Sequence, residues 1–426
     1  MSKFMKVNIL FLFLSCIFSW SAIASPDTIV SSIEIEGLDR TDEITVLREL
    51  PFSVGSSWQH DYSDNSEQRL LRLGIFSEAF VAPPDEQGHV KVRIKERWSL
   101  WVLPQATRKD NGVSSASVVV DEYNLWGLNH HARLGYTRNT GKNFSGNNGS
   151  SYSAAYDWRR VAGSKLGISV SGNWGRSAFD AYDLGVNVAQ YMQTGKSASI
   201  LFTYALGDVP NEGWGLHGGF SGSNATYQFV SGTPQANVIG NRIRALLAGV
   251  SYSLVDEHIT WQEGKAFNYS VSLAHRGLGS TVNTYSHTAS WRNYYAVSGQ
   301  HTFNVRLNGG VMTGDVLRSG LFDIGNRNGL RGYYPGELQG TNYLYGSVEG
   351  RFPIRQDSNF QLVTFTDVGK IGGRVGSSVT RGLAVGAGGG FRWTMRWLAR
   401  GTVRGDVAYG FASKRWRFYL GTGQAF

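Results

Sequence analysis

The chain has 426 residues, a formal net charge of +9, 54 glycines, only 9 prolines and 13% aromatic residues. Many glycines and aromatics with few prolines are typical of short strands joined by tight turns. The only cysteine is Cys16. A chain processed after residue 24 would therefore have no thiol, which excludes disulfides, zinc–thiolate sites and cysteine catalysis.

Residues 1–24 have the pattern of a cleaved secretory signal. Lys3 and Lys6 precede an apolar run over residues 7–18, and a small-x-small site ends at Ala24. We therefore predict cleavage between Ala24 and Ser25. Loss of both lysines leaves +7 of the +9 charge. In an exported protein this charge favours contact with anionic lipid and lipopolysaccharide over nucleic acid.

Residues 25–97 predict a small α/β domain of order βααββ. Apolar and polar residues alternate up to Gly37, helical periods follow, and two further alternating runs come after them. The expected elements are a strand ending at Gly37, a helix capped by Thr41 and stopped by Pro51, a helix over 63–73, and strands over 77–82 and 90–96.

Residues 98–426 alternate with period two in segments of about ten residues, separated by glycine-rich or asparagine-rich turns. With the composition, this predicts an all-β transmembrane barrel of antiparallel strands. The 326 residues from Trp101 to Phe426 allow about 16 strands, at roughly 20 residues per strand and connection. An array of soluble β-sandwiches is the alternative.

The strand count leaves one inconsistency. We find about 17 candidate strands, whereas a single-chain barrel of this kind needs an even number. The doubtful stretch is 214–241, a polar segment at a position where a periplasmic turn is expected. Elsewhere, 137–150 and 313–340 predict long extracellular loops, and 124–129 and 193–196 predict short turns.

A glycine-rich stretch, Asn328–Gly336, lies inside the second long loop. Glycine and proline allow a tight turn here, so we expect Arg331 to project from its tip. An arginine among glycines is also an ordinary solvated turn residue. The candidate loop motif comprises Gly329, Leu330, Arg331, Gly332 and Tyr333.

Several motifs carry a resemblance to one family. Ile33-x-Ile35-x-Gly37-Leu38 and Leu70-x-x-Leu73-Gly74 resemble a POTRA domain, the periplasmic module that precedes the barrels of the BamA/TamA superfamily. Arg331-Gly332-Tyr333 resembles the tip of the loop that folds into those barrels. The resemblance implies a Gram-negative outer-membrane protein whose single POTRA domain receives client polypeptides by strand addition.

By the same resemblance, two carboxylates hold Arg331 in the lumen. Glu349 lies in a strand-like run that follows the loop, and Asp367 lies in the motif Phe365-x-Asp367-x-Gly369. A guanidinium in a confined lumen loses hydration and needs such partners, which bind it through charge-assisted hydrogen bonds. Isolated lumen charges of an ordinary channel are the alternative for each carboxylate.

The C-terminal segment resembles the β-signal of outer-membrane barrels, with Phe418, Leu420 and Phe426 on one face. Gly421 and Gly423 weaken this terminal strand, which is what opening beside the first strand would require. Small residues that merely make room in the lumen are the alternative.

These features predict a monomeric outer-membrane protein that translocates polypeptides across the membrane or inserts them into it. A passive channel or structural barrel is the alternative. We predict no enzyme activity, cofactor, metal site or nucleic-acid partner, although His287 lies close to Ser286 and Ser290 in sequence.

Overall fold

The computed structural model describes residues 28–108, 114–140, 149–207, 209, 212–373 and 376–422. The predicted signal segment with its Ala24–Ser25 cleavage site, and the C-terminal Phe426, lie outside these ranges. Among the described residues, no helix is both long and apolar enough to cross a membrane.

The N-terminal domain has the predicted βααββ order. Its elements are β1 (Ser32–Glu36), α1 (Glu43–Leu47), α2 (Tyr62–Arg72), β2 (Phe76–Val81) and β3 (His89–Glu96). The sheet order is β1-β3-β2, with β1 parallel and β2 antiparallel to β3, so β2 is an edge strand. Alternate residues of β3 are buried, because one face of the sheet packs against the helices.

The first helix is capped differently from the prediction. The Asp42 side chain accepts a hydrogen bond from the Ile44 amide at 3.0 Å. Thr41 is not the cap, because its hydroxyl accepts a hydrogen bond from Asn124 Nδ2 at 2.9 Å. Asn124 belongs to the barrel, so a residue expected to start a helix joins the two parts of the molecule instead.

Sixteen antiparallel strands form the barrel sheet, which confirms the predicted fold class and resolves the count to an even number. Their order follows the chain, apart from three short strands described below. The barrel strands are β4 (Leu100–Arg108), β5 (Ser114–Leu125), β6 (His130–Thr140), β7 (Gly149–Trp158), β8 (Leu166–Asp183), β9 (Val186–Ala205), β10 (Gly213–Gly232), β11 (Asn241–Glu257), β12 (Gln262–Ala274), β13 (Thr284–Ser298), β14 (His301–Gly314), β17 (Asn342–Pro353), β18 (Phe360–Gly372), β20 (Ala384–Thr394), β21 (Thr402–Gly410) and β22 (Arg415–Thr422).

Two sequence predictions within the barrel are wrong. Most of the doubtful stretch 214–241 is the twenty-residue strand β10, and its connection to β11 lies on the side opposite the N-terminal domain. The predicted turn 193–196 lies inside β9, which is also twenty residues long. These strands are about twice the length that spans the apolar layer, so their polar parts resemble turns although the hydrogen-bond ladder continues through them.

The two predicted long loops begin later than expected. For the first, β6 continues to Thr140 and β7 starts at Gly149; residues 141–148 lie outside the described ranges. For the second, β14 ends at Gly314, and the loop returns to the barrel wall at Asn342. The predicted short turn at 124–129 lies between Leu125 and His130.

The N-terminal domain rests on the periplasmic turns of the barrel. Arg72, at the end of α2, forms ion pairs with Glu212 at 2.7 Å, in the β9–β10 connection, and with Asp256 at 2.6 Å, near the end of β11. On another side, the Thr45 hydroxyl donates to the Gly127 carbonyl at 2.8 Å. The domain therefore contacts the barrel at more than one point.

A three-residue linker, Arg97–Ser99, joins β3 to β4. Its backbone is bonded to both parts: the Arg97 amide donates to Ile75 O at 2.8 Å and the Trp98 amide to Trp397 O at 2.7 Å. Trp98 also forms a bridge with Leu398. In the described part of the chain, no pairing joins the terminal strands β4 and β22, so this contact with the β20–β21 turn lies beside the seam of the barrel.

Candidate functional site

The long loop, residues 315–341, folds back into the barrel from its extracellular end. Its short strands β15 (Phe322–Asp323) and β16 (Leu338–Gly340) form a small sheet with β19 (Ser377–Ser378). The Asp323 carboxylate accepts hydrogen bonds from the Gly336 amide at 2.6 Å and Gln339 Nε2 at 3.1 Å. One partly buried carboxylate thus joins the two arms of the loop above its tip.

The tip approaches the barrel wall by main chain. Gly332 has a φ of +94°, a conformation that favours glycine. On the wall, Gly386 leaves the space occupied by the Arg331 carbonyl; a Cβ on Gly386 would lie 1.9 Å from that oxygen. The missing side chain on β20 therefore allows the loop to dock.

Arg331 lies at the tip and is 1% exposed. Its Nη1 donates to Glu349 Oε2 at 2.7 Å, while Nε and Nη2 donate to the two oxygens of Asp367 at 2.8 and 2.9 Å. Its backbone amide also donates to Asp367 at 2.9 Å. The structure thus places Arg331 against both carboxylates named from the sequence, and the Asp367 contact is bidentate.

All three residues of the motif Phe365-x-Asp367-x-Gly369 contact the loop. The Arg331 guanidinium lies over the Phe365 ring at 3.4 Å from its centroid, a cation–π contact. At Gly369, a Cβ would lie 2.9 Å from Leu330 Cδ1. The motif therefore provides a ring for the charge, a carboxylate partner and space for the neighbouring leucine.

The other loop residues are anchored by packing and main-chain bonds. Leu330 and Tyr333 are fully buried in a cluster that includes Ile324. The Tyr333 hydroxyl donates to Val385 O at 2.8 Å. The Gly329 carbonyl accepts from Arg306 Nη2 at 3.4 Å.

The sequence prediction missed two central residues, Arg392 on β20 and Asp406 on β21. Arg392 donates to Glu349 at 2.8 Å and to Asp406 at 2.7 Å, and all three side chains are buried. Asp406 Oδ2 is 4.0 Å from Arg331 Nη1. Both residues lie in strands near the C-terminus in which residues alternate between the two faces. This alternation could have placed their side chains in the lumen, since inward positions are every second residue.

The surroundings of the loop shift the pKa values of two of its residues, Arg331 and Asp323. Burial opposes the charge of Arg331, but the attraction and hydrogen bonds of Asp367, with Glu349, outweigh burial and raise the pKa of Arg331. For Asp323 the balance is reversed: burial raises the pKa of its carboxyl to about 6, against hydrogen bonds from Gln339 and two backbone amides. The arginine therefore stays cationic, whereas the raised pKa of the Asp323 carboxyl lies at about 6.

The loop also contacts the last strand, β22. Tyr419 Oη accepts from the Gly332 amide at 3.0 Å, and Arg417 pairs with Glu337 at 2.9 Å. The predicted β-signal residues Phe418 and Leu420 alternate with these and are exposed on the outer face of the barrel. The inner face of the terminal strand therefore holds the loop.

Two further observations concern catalysis and metal binding, neither of which the sequence predicts. Tyr269 Oη lies 2.8 Å from His287 Nδ1. Strand alternation puts Ser286 and Ser290 on the opposite face of β13 from His287, so they do not form a site with it. Across the described ranges, no group of three or more histidine, cysteine or acidic side chains is arranged to hold a metal ion.

Fold and site together define an outer-membrane β-barrel whose lumen holds one of its own loops by an arginine. The chain belongs to the Omp85 superfamily, whose domain matches residues 124–426. This membership places it in the outer membrane of a Gram-negative bacterium, among proteins that insert polypeptides into that membrane or translocate them across it.

Solved structures have a similar fold. CdiB from Escherichia coli is 12% identical, with a TM-score of 0.62 over 93% of this chain and 74% of that one. CdiB from Acinetobacter baumannii is 16% identical, with a TM-score of 0.58 and coverage of 92% and 72%. BamA from Haemophilus ducreyi lacking POTRA domains 1-3 is 15% identical, with a TM-score of 0.53 and coverage of 94% and 84%. No curated protein matches the sequence.

Proposed function

We propose that this protein receives extended polypeptides in the periplasm and passes them through, or into, the outer membrane. The N-terminal domain, residues 25–97, acts as a POTRA domain, and the docked loop acts as a latch in the barrel. The observation that carries the proposal is the contact of Arg331 with Glu349 and Asp367 inside the lumen.

The latch holds position and performs no bond chemistry. An arginine with two carboxylate partners contributes roughly 1–3 kcal/mol through charge-assisted hydrogen bonds. This is enough to bias a loop between docked and undocked states but small beside the fifteen strand pairings of the barrel sheet. The loop fills lumen space that a passing chain would need, so its release would be part of transport.

The N-terminal domain has a surface suited to strand addition. Among the described strands, β2 pairs only with β3, which leaves its other edge for a client backbone apart from the Val81 amide, which donates to Glu67 Oε1. Phe80, on this strand, is 54% exposed. An extended client would gain main-chain hydrogen bonds along β2 and an apolar contact at Phe80.

Replacing Arg331 by alanine tests the latch. Surface display or membrane insertion of periplasmic clients should fall at equal barrel abundance. Arg133 provides the matched control, because it forms a bidentate lumen pair with Asp121 away from the loop; Arg133→Ala should transport normally. Unchanged transport by Arg331→Ala would instead support a passive channel or structural barrel.

Photo-crosslinking tests the receiving surface. A crosslinker at Phe80 on the edge strand should capture clients, whereas one at Arg93 on the central strand β3 should capture few. Equal capture at both positions would contradict strand addition. Outer-membrane lipid and lipopolysaccharide remain the proposed surroundings of the barrel, and a monomer the proposed state.

A further inference from the structure

Two arginines share one carboxylate oxygen in the lumen. Arg331 Nη1 and Arg392 Nη2 both donate to Glu349 Oε2, at 2.7 and 2.8 Å. Both side chains are almost completely buried, so water screens their mutual repulsion poorly. One belongs to the loop and the other to the wall strand β20. The loop arginine therefore occupies a position that a fixed arginine already holds in part.

The inner barrel wall around the loop tip has enough arginines to match its carboxylates before the loop enters; these are Glu349, Asp367 and Asp406, with Arg351, Arg392 and Arg404. Its three buried carboxylates are met by three buried arginines, and Arg306 adds further positive charge beside Tyr345. The pairs within the wall are Arg351–Glu349 at 2.9 Å, Arg392–Glu349 at 2.8 Å, Arg392–Asp406 at 2.7 Å and Arg404–Asp406 at 3.8 Å. Arg331 thus brings an additional cation into a site whose carboxylates are already matched in number by the arginines of the wall.

A wall of this composition lowers the free-energy cost of undocking the loop. Withdrawal of an arginine from buried carboxylates normally leaves uncompensated charge, which is strongly unfavourable. Here Arg392 remains between Glu349 and Asp406 after Arg331 leaves. Asp367 alone loses its main cation, and the Ser347 hydroxyl still donates to it. When the loop is undocked, most of the carboxylate charge in the wall therefore remains neutralised.

We propose that Arg392 is a positioning residue that competes with Arg331 for Glu349 and thereby keeps the loop releasable. Without Arg392, Glu349 and Asp406 would depend more on Arg331, and the loop would be held more tightly. The inference rests on the proposed function in one respect: it assumes that release of the loop is useful to the protein. The competition itself is a property of the docking equilibrium.

Hydrogen exchange of the full-length protein in detergent tests this inference. Two amides report docking, because that of Arg331 donates to Asp367 at 2.9 Å and that of Gly332 to Tyr419 at 3.0 Å. In Arg392→Gln we expect these amides to exchange at least tenfold more slowly than in the wild type. In Arg133→Gln, which removes a lumen pair remote from the loop, exchange should stay within twofold.

Arg392→Lys separates charge from geometry. Lysine keeps the cation but lacks the planar fork that bridges two carboxylates. Its exchange should therefore fall between that of the wild type and of Arg392→Gln. Folding of each variant is judged by heat-modifiable gel mobility. If Arg392→Gln fails to fold, Arg392→Lys replaces it as the test. The two reporting amides of Arg392→Lys should then exchange at least threefold more slowly than those of the wild type.

Exchange that is unchanged or faster in a folded Arg392 variant would overturn the competition. The measurement does not involve transport, so the two proposals fail separately. If Arg392→Gln slows exchange while Arg331→Ala transports normally, the competition stands and the proposed function falls.

Discussion

The hydroxyl of Tyr419 donates to the main-chain oxygen of Tyr333 at 3.0 Å. The Tyr419 hydroxyl oxygen also accepts from the Gly332 amide, so one side chain of the last strand holds main-chain groups of two successive residues at the loop tip. Since β22 pairs only with β21 among the described strands, the loop is a second support for this strand. Loop docking and the order of the terminal strand should therefore depend on each other.

Tyr419→Phe tests this dependence. Loss of the hydroxyl removes two hydrogen bonds and leaves the ring in place, which should cost about 1–2 kcal/mol of docking. Hydrogen exchange should become roughly tenfold faster in both the loop tip and β22. Tyr269→Phe is the control, because its hydroxyl bonds His287 on distant strands. Faster exchange in the loop alone would mean that the two elements are independent.

Gly386→Ala should prevent docking. The added Cβ would lie 1.9 Å from the Arg331 carbonyl, so either the loop or strand β20 must move. Protease cleavage within 326–336 should increase strongly while the barrel keeps its heat-modifiable mobility. Gly346→Ala on β17 is a matched control, since its Cβ would meet nothing closer than 3.6 Å. Equal resistance of the two variants would show that the wall accommodates the methyl group.

Acidification should strengthen the folded loop. The pKa of Asp323 is about 6 in the folded loop and about 4 in an unfolded chain. Its protonated form therefore contributes stability that is fully present below about pH 4 and is lost as pH rises through 6. After correction for intrinsic rates, loop amides should exchange more slowly at pH 5 than at pH 7.5.

Asp323→Asn isolates this titration, because the amide keeps an acceptor oxygen but carries no charge. Its loop should show little pH dependence between pH 5 and 7.5. The same pH dependence in both proteins would assign the effect to another group.

Arg72→Gln should loosen the N-terminal domain on the barrel. Its two ion pairs are partly exposed, so the expected cost is at most about 1 kcal/mol and should shrink as salt rises. Spin labels on introduced cysteines at Asn65 and Asp357 would report a broader distance distribution for Arg72→Gln at low salt. Lys91→Gln breaks a pair within the domain and should leave the distribution unchanged. A salt-independent distribution in the wild type would contradict this role for Arg72.

The sequence predicted those parts of the site that lie on local motifs. Arg331 stands in a glycine-rich turn, and Asp367 has a recognisable strand around it. Arg392 and Asp406 have no such surroundings, and their importance comes from register. Strand β20 lies between β18 and β21, which places Arg392 within reach of Asp406 on one side and of Glu349 across β18. Lateral neighbours of this kind follow from strand boundaries, which periodicity alone leaves several residues uncertain.

The errors in strand assignment have a different cause. Within β9 and β10, polar and glycine-rich segments continue as strand because main-chain pairing does not require an apolar face. Thr41 was misassigned because its tertiary partner, Asn124, lies in another domain. In each case the deciding contact is distant in sequence.

Under the proposed function, the linker Arg97–Ser99 would determine how a client passes from the N-terminal domain to the barrel. Its amides are bonded to the domain on one side and to the β20–β21 turn on the other, so the connection has no slack. A flexible tether would let the domain search a large volume, with an effective concentration set by its length. Here the bonded linker holds the domain in one orientation at the barrel mouth, and under the proposed function each client would enter next to the first barrel strand, β4, whatever its sequence.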